Sequence, residues 1–312
     1  MSINDLILFA VIFGSAAVAI FLPDAGRVFH PYLLYFLMLL LFLSFLKIDF
    51  NALLDTSPDS VLHLATIGLV KLILLPIALY EIALYVMPDY ALPILLLSGI
   101  STGVVAPFLG SLIAADVPTV LRMVIVTSLV VPLSLPCLVK FFAGAELSIP
   151  LGVMIRLLAL VIFIPMGLVV VLRKCVPQVL EMIAEKQYPF SVLLFALVNL
   201  GVFSKYSSFL FRHPEQLLVS VTVAYGLSVI YYLTGFLLVP RRQPSERLAA
   251  AVSLAVMNNV LVIVFSSRFF GPLAPTLAAM YMFPFFTMIV PVRLISNRLG
   301  WAAPEKTEKV RG

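Results

Sequence analysis

Two adjacent asparagines interrupt a long apolar stretch in the last quarter of the chain. Residues 247–265 read RLAAAVSLAVMNNVLVIVF, with Asn258 and Asn259 near the middle of a segment long enough to cross a bilayer. Hydrocarbon does not tolerate unpaired amides, and neighbouring helical residues point about 100° apart, so one partner helix can hardly satisfy both. Either the helix is broken or faces a polar cavity at this depth, or the amides hydrogen-bond neighbouring helices as packing contacts.

The rest of the chain has the composition of a protein with many membrane spans. Hydrophobic residues make up 62% and charged residues 11% of its 312 residues, which excludes a soluble domain of this length. The net charge of +5 belongs to the loops, so we expect the lipid bilayer and not nucleic acid as a partner. Two cysteines, three scattered histidines and the lack of hydrolase, zinc-peptidase or P-loop motifs predict no enzyme, no metal and no cofactor.

Hydropathy and loop signals predict an all-α protein with ten transmembrane helices and short connections. The N-terminal segment has no basic region before its apolar run, so we expect a retained first helix and not a signal peptide. The ten predicted spans are residues 5–22, 31–46, 60–87, 92–114, 117–141, 149–172, 188–204, 216–239, 246–267 and 273–296.

The connections differ in their content of lysine and arginine. With the N-terminus inside, the inner connections hold most of these residues and the outer connections hold few. The positive-inside rule then places both termini in the cytoplasm, and we expect a bacterial inner membrane.

Ten spans divide into two halves of five, residues 1–145 and 146–301, followed by a charged cytoplasmic tail at 302–312. An odd number of spans per half gives the halves opposite topology, as in transporters built from inverted repeats. The fourth span of each half carries an interruption: Gly103 and Pro107 in the first, the two asparagines in the second. Matching broken spans indicate a transport site, although glycine and proline also produce simple kinks.

Lys71 lies near the middle of the third predicted span. At 1.5 Å per residue it is too deep to reach either interface easily. A lone intramembrane lysine is energetically expensive and therefore indicates function. The alternative is a structural lysine that pairs with a carbonyl of a neighbouring helix.

Three segments resemble the bile acid:sodium symporter family. They are SGISTGVVAPFLGSLIAADVPTVLRMVIVTSLVVPLSLP at 98–136, VMNNVLVIVFSSRFFG at 256–271, and residues 21–54. The resemblance covers nearly the whole chain through spacing and prolines. It implies ten helices, with a core of three and a panel of two per half, and with the fourth and ninth helices crossing as unwound segments. Family members move organic anions with sodium, and an arsenite-exporting branch shares the fold.

The chain departs from the family pattern where sodium is bound. The acidic position of the ninth helix is Leu254, the Ser-Asn pair of the fourth helix is replaced by Ala106 and Pro107, and the hydroxyls of the fifth helix fall on Val120 and Val124. A hard cation prefers several oxygen ligands including a carboxylate, so a sodium site is not expected. The cysteine of the arsenite branch is also missing.

By the same resemblance, Lys71 aligns with a glutamine of a sodium site. We expect its ammonium to replace the ion and to bond carbonyls of the broken ninth helix around Leu254 to Asn258. Loss of its proton in one state would make transport proton-coupled, whereas a permanent charge would give a facilitator or exchanger. On the tenth helix, Phe286 and Thr287 occupy the place of a polar His-Asn pair.

The sequence therefore predicts a sodium-independent transporter that moves a small organic anion by alternating access. The candidate site residues are Thr102, Asn258, Asn259 and Thr287 for substrate or backbone support, Lys71 for cation replacement or coupling, and Gly103 and Pro107 for the helix breaks. One alternative is a sodium symporter with Ser101, Thr127 and Ser253 as ligands. Another is a membrane sensor or scaffold that kept the fold without transport. The sequence carries no signal for an oligomeric state.

Overall fold

The computed structural model describes residues 3–46, 48, 57–142, 150–299 and 301. Regular structure within these ranges is helical and contains no strand, with a 3-10 turn at His30–Tyr32 and a π-helical turn at Val70–Leu74. The α-helices are α1 Ile3–Phe21, α2 Pro23–Arg27, α3 Leu33–Phe45, α4 Pro58–Leu69, α5 Leu75–Val86, α6 Pro88–Ser98, α7 Ala106–Ser111, α8 Val117–Phe142, α9 Leu151–Cys175, α10 Pro177–Arg212, α11 Glu215–Leu238, α12 Pro244–Ala255, α13 Asn259–Phe269, α14 Leu273–Met280, α15 Met282–Thr287 and α16 Ile289–Arg298.

Several helical stretches have the length and apolar composition needed to cross a bilayer. Seven are found in the described residues: Pro23–Phe45, Pro58–Val86, Val117–Phe142, Leu151–Cys175, Pro177–Arg212, Glu215–Leu238 and Leu273–Arg298. The prediction of an all-helical integral membrane protein is therefore confirmed.

Two of the predicted spans are interrupted near their middle. In the first, α6 ends at Ser98 and α7 begins at Ala106; in the second, α12 ends at Ala255 and α13 begins at Asn259. The four pieces contain 11, 6, 12 and 11 residues, so each is too short to cross a bilayer alone. The interruptions predicted from glycine, proline and asparagine are present.

One helix begins well before the span predicted for it. The apolar run at 188–204 predicts a short seventh span, whereas α10 extends from Pro177 to Arg212. Proline suits the first turn of a helix, because its fixed φ is helical and its missing N–H has no partner there. The charged residues that follow, including Glu181 and Lys186, are good helix formers, so the helix continues where hydropathy indicates a connection.

The helices pack in two groups. In what we call the α10 group, α10 contacts α1, α2 and α3, and α3 contacts α9. In the α13 group, which comprises α4–α8 and α11–α16, α6 and α11 pack on α14, α12 packs on α8 and α11, and α13 packs on α14. The groups meet where α8 contacts α9 and where α13 contacts α3 and α10.

Close packing of α11 on α12 fixes where the broken helix lies. A Cβ atom added at Gly235 would lie 2.5 Å from the Cα of Ala251. Small residues allow membrane helices to approach backbone to backbone, and this contact holds α12 against α11 just before α12 ends. The predicted boundary between residues 145 and 146 and the predicted tail at 302–312 lie outside the described residues.

Candidate functional site

The two interruptions meet and form the centre of the candidate site. Thr102 and Met257 form an isolated antiparallel β-bridge, which is the backbone contact of two extended strands without a sheet around it. Gly103 N–H donates to the carbonyl of Val256 at 2.8 Å, and Asn258 N–H donates to the carbonyl of Ser101 at 3.0 Å. Each unwound segment thus supplies backbone partners that the other has lost by leaving the helix.

Gly103 allows the two segments to come this close. A Cβ atom at this position would lie 2.6 Å from the carbonyl oxygen of Met257. Because this oxygen belongs to the backbone, no side-chain rotation could relieve the clash, and the backbone itself would have to move. Pro107 lies in the first turn of α7, where a missing N–H leaves no helical bond unmade. Both residues predicted to break the helix therefore lie at the break, in different roles: close approach and helix start.

Because α12 ends inside the protein, its last carbonyls need donors from elsewhere. The hydroxyl of Thr102 donates to the carbonyl of Ser253 at 2.8 Å, and Thr102 N–H donates to the hydroxyl of Thr127 at 3.0 Å. Thr127 in turn donates to the carbonyl of Met123 on its own helix at 2.6 Å. Thr102 is thus a backbone support, and the hydroxyl of Thr127 is already used on both sides.

The next carbonyl of α12 is bonded by Lys71. Its Nζ donates to the carbonyl oxygen of Leu254 at 2.9 Å and also contacts the sulfur of Met257. The Lys71 side chain is 0% exposed, and no acidic side chain forms an ion pair with it within the described residues. The sequence predicts a bond from this amine to the carbonyls around Leu254, and that contact is present.

Lys71 lies on the π-helical turn Val70–Leu74 between α4 and α5. A π-helical turn inserts an extra residue into an α-helix, changes the direction of the side chains around it and occurs often at functional sites. Neither hydropathy nor residue type in this segment indicates the π-helical turn, since valine, leucine and isoleucine surround the lysine.

Tyr281 supplies the donor for the last carbonyl of α12. Its hydroxyl donates to the carbonyl of Ala255 at 2.7 Å, and the whole side chain is buried. From the sequence alone, a tyrosine at this position is interpreted as a packing or interfacial residue, and its bond to α12 was not predicted. The tyrosine within an apolar span could have indicated such a bond, because a buried hydroxyl requires a hydrogen-bond partner.

The two adjacent asparagines have different environments. Asn258 caps the start of α13, where its Oδ1 accepts a hydrogen bond from the N–H of Leu261 at 3.4 Å. Asn259 is buried, its Nδ2 lies 2.9 Å from the sulfur of Met282, and its Oδ1 has no hydrogen-bond partner among the described residues. A thioether is a weak acceptor, so the amide of Asn259 is only weakly bonded among the described residues.

Met282 also lines a small cavity between the α10 group and the α13 group. The cavity has a volume of about 10 Å³ and is lined by Ala16, Phe195, Asn199, Phe203, Ile263, Ala279, Met280 and Met282. This space holds about one water molecule. The two helix groups are therefore closed on each other next to Asn259.

The hydrogen bonds of Thr287 are with none of these site residues. Its side chain is exposed, bonds the hydroxyl of Tyr225 at 2.9 Å and donates to the carbonyl of Phe283 at 2.8 Å. The structure thus brings Lys71, Thr102 and Asn258 together at the crossing, and the contacts of Thr287 are with α11 and its own helix.

Further polar groups lie close to the crossing in the chain. The hydroxyls of Ser101 and Ser253 are buried, and neither has a hydrogen-bond partner in the part of the chain that the structure describes. In the described part of the chain, no group of three or more His, Cys, Asp or Glu residues has the geometry of a metal site.

No protein-family model matches the chain, and no curated protein matches it significantly.

Proposed function

We propose that this chain is a secondary transporter that moves a small organic anion by alternating access and without sodium, with the Lys71 amine in place of a bound cation. The fold we propose is that of the bile acid:sodium symporter family, with two inverted repeats at 1–145 and 146–301 and both termini in the cytoplasm. The hydrogen bond from Lys71 to the Leu254 carbonyl supports this proposal, because it joins a buried amine to the last turn of α12, just before that helix is interrupted.

Ten crossings follow from the helices if each interrupted pair counts as one. The seven long stretches, α1 with its 19 residues, and the pairs α6–α7 and α12–α13 would together cross the bilayer ten times. In this proposal the α13 group is the core and the α10 group is the panel, and the crossing of the broken helices lies within the core.

The side chains around Lys71 favour a built-in cation over a bound one. A sodium ion at a helix break needs several oxygen ligands, preferably with a carboxylate. The side chains of Leu254, Val120 and Val124, at the three positions where the resemblance implies oxygen ligands, are apolar and 0% exposed. An amine on a tether needs only the carbonyl that it already contacts.

An anionic substrate fits the position of α13. This helix begins at the crossing with Asn259, so its positive end lies there, and the Nδ2 of Asn259, which donates to the weakly accepting sulfur of Met282, is a donor that an anion can compete for. The neighbouring cavity of about 10 Å³ is too small for an organic anion, so the two helix groups have to separate before one can enter. Movement of one group against the other is the form of alternating access that we propose.

The test begins with a ligand screen of the purified full-length chain. Thermal stability is measured with small carboxylates and sulfonates, in sodium and in choline salts, at two pH values; a ligand raises the stability by mass action. Uptake of the best anion is then measured in proteoliposomes. We expect uptake in choline salts, and we expect Lys71→Gln to abolish it or to make it depend on sodium.

The matched control is Lys174→Gln, a change at an exposed lysine at the end of α9. It should leave uptake unchanged, because Lys174 is exposed and lies on α9, a helix of the α10 group. Uptake by Lys71→Gln that equals the wild type in rate and in pH dependence would remove the proposal.

A sodium symporter is the second candidate, and the unpaired buried hydroxyls of Ser101 and Ser253 favour it. Uptake by the wild type that requires sodium, and that Ser253→Ala weakens, would support this candidate. Ligand-induced stabilisation without any flux would instead support a sensor or scaffold.

A further inference from the structure

Lys205 connects the two helix groups at the end of α13. It lies on α10, and its Nζ donates to the carbonyl of Ser267 at 2.6 Å. The hydroxyl of the neighbouring Tyr206 donates to the carbonyls of Ser267 at 3.2 Å and Phe270 at 3.3 Å. These carbonyls belong to the C-terminal turn of α13 and to the residue after it, where carbonyls have no N–H donor within the helix.

These bonds lie next to the cavity between the groups. Phe203, two residues before Lys205, lines that cavity, and so does Ile263, one turn before Ser267 on α13. The Lys205 and Tyr206 bonds therefore close the space between α10 and α13 on one side. We call Lys205, Tyr206, Ser267 and Phe270 the rim latch.

Positive charges collect around the rim latch. Arg268, the residue after Ser267, is exposed and close enough to Lys205 to repel it. His30 lies near Lys205 as well and bonds the hydroxyl of Ser204 at 2.8 Å. In the described part of the chain neither Lys205 nor Arg268 forms an ion pair with a carboxylate. An arriving anion would relieve the repulsion between two cations that the protein leaves without a counter-charge.

We propose that Lys205 and Arg268 form a binding site for the carboxylate or sulfonate group of a soluble anion, and that binding draws Lys205 away from Ser267 and opens the rim latch. The site deepens the proposed function, on which the choice of a soluble anion rests. It would give the anion its first contact with the protein and join that contact to the opening of the cavity.

The bonds of the rim latch suit a reversible contact. A charge-assisted hydrogen bond to a carboxylate is stronger than one to a neutral carbonyl, so an anion competes well for the Lys205 ammonium. When Lys205 leaves, the latch keeps only the two longer bonds of the Tyr206 hydroxyl, at 3.2 and 3.3 Å, which hold α10 to α13 less firmly but leave the Ser267 carbonyl with a donor. The Ser267 carbonyl at the end of α13 therefore keeps one hydrogen-bond donor. The flexible lysine side chain can move without a change in the backbone.

The experiment measures access to the cavity with a single cysteine. Cys137 and Cys175 are both free and exposed, so each is first changed to serine, and Ala279→Cys is introduced in the cavity wall. The full-length chain is placed in phosphatidylcholine nanodiscs, and its rate of reaction with a charged maleimide is measured in choline chloride and in choline acetate of equal ionic strength. We expect acetate to raise the rate by about fivefold, comparable to the loss of one hydrogen bond.

Variants of the rim latch separate the parts of the proposal. Lys205→Met should raise the rate in chloride to about the acetate level and remove the response to acetate, because the donor and its charge are gone. Lys140→Met, a change at an exposed lysine in the last turn of α8, is the matched control and should behave as the wild type. Equal rates for Lys205→Met and the wild type in chloride would overturn the latch.

A lipid phosphate offers the same chemistry as a soluble anion, so a second arm varies the bilayer. Nanodiscs that contain phosphatidylglycerol and no acetate should keep the slow rate. A fast rate with phosphatidylglycerol, together with no response to acetate, would overturn the assignment to a soluble anion. None of these measurements requires flux, so a chain that fails to transport but responds to acetate would refute the proposed function and leave the anion site intact.

Discussion

Two lysines in this protein make the same bond in different places. Lys71 and Lys205 each donate to a carbonyl near the C-terminal end of half of the second interrupted helix, Lys71 to α12 and Lys205 to α13. Lys71 is 0% exposed and lies within one helix group, whereas Lys205 is exposed and joins two groups. The bond inside the core is part of the fold, because no water can replace it, and the bond at the rim can exchange with solvent or an anion.

Removal of each amine should therefore have opposite effects. Lys71→Met leaves the Leu254 carbonyl without its side-chain donor and removes the built-in cation of the proposed function, so uptake of the anion should fall at least about tenfold. Lys205→Met should leave the fold intact and make the cavity more accessible. Proteoliposome uptake of the two variants, with thermal melting as the check on folding, tests the difference. Equal losses of uptake would mean that burial does not distinguish the two bonds.

The crossing and the α10 group should also differ in how much stability they lose when a glycine is changed to alanine. At both Gly103 and Gly201 the nearest atom to an added Cβ would be 2.6 Å away, but the atom is a backbone carbonyl of Met257 at the crossing and a methyl of Leu33 at the other site. A leucine side chain can rotate, whereas the bridged backbone has to move. We expect Gly103→Ala to destabilise the protein by about 2 kcal/mol and Gly201→Ala by about 1 kcal/mol or less.

Thermal or denaturant unfolding in detergent measures both alanine variants. Gly226→Ala is the control, since nothing lies within 4 Å of a Cβ at that position. It should have nearly the stability of the wild type. A larger loss of unfolding free energy from Gly201→Ala than from Gly103→Ala would show that the backbone at the crossing adapts more easily to an added methyl group.

A further expected difference concerns two hydroxyls. Thr102→Val removes the donor that Ser253 O accepts at 2.8 Å, and this buried carbonyl would then lack a partner, at a cost of about 1–3 kcal/mol. Tyr206→Phe leaves the Ser267 carbonyl bonded to Lys205, so its cost should stay below about 1 kcal/mol. Unfolding of both variants under the same conditions compares them. Similar stabilities would indicate that Thr102 is not needed to support the broken helix.

Part of the site could be predicted because polar groups are rare in apolar spans. Lys71, Asn258 and Asn259 stand out against their neighbours, and their chemistry requires partners, so a broken helix was one of the expectations from the residues. The bond from the amine to the carbonyls of that helix was expected from the resemblance to the symporter family. The resemblance to a transporter family remains a prediction. The same reasoning overlooked Tyr281, because tyrosine is common at membrane interfaces and its sequence position does not reveal which carbonyl its hydroxyl meets.

Hydropathy by itself determined that this chain lies in a membrane as helices, since apolar length and the need to bond every backbone group leave few other forms. The residue types also determined where two of those helices had to stop. Only the tertiary structure decided which donor reaches which carbonyl, how Asn258 and Asn259 divide their roles, and that Lys205 closes a rim. Lys205 and Ser267 are 62 positions apart in the chain, and Lys71 and Leu254 are 183 positions apart. The geometry of these contacts depends on packing that no local pattern encodes.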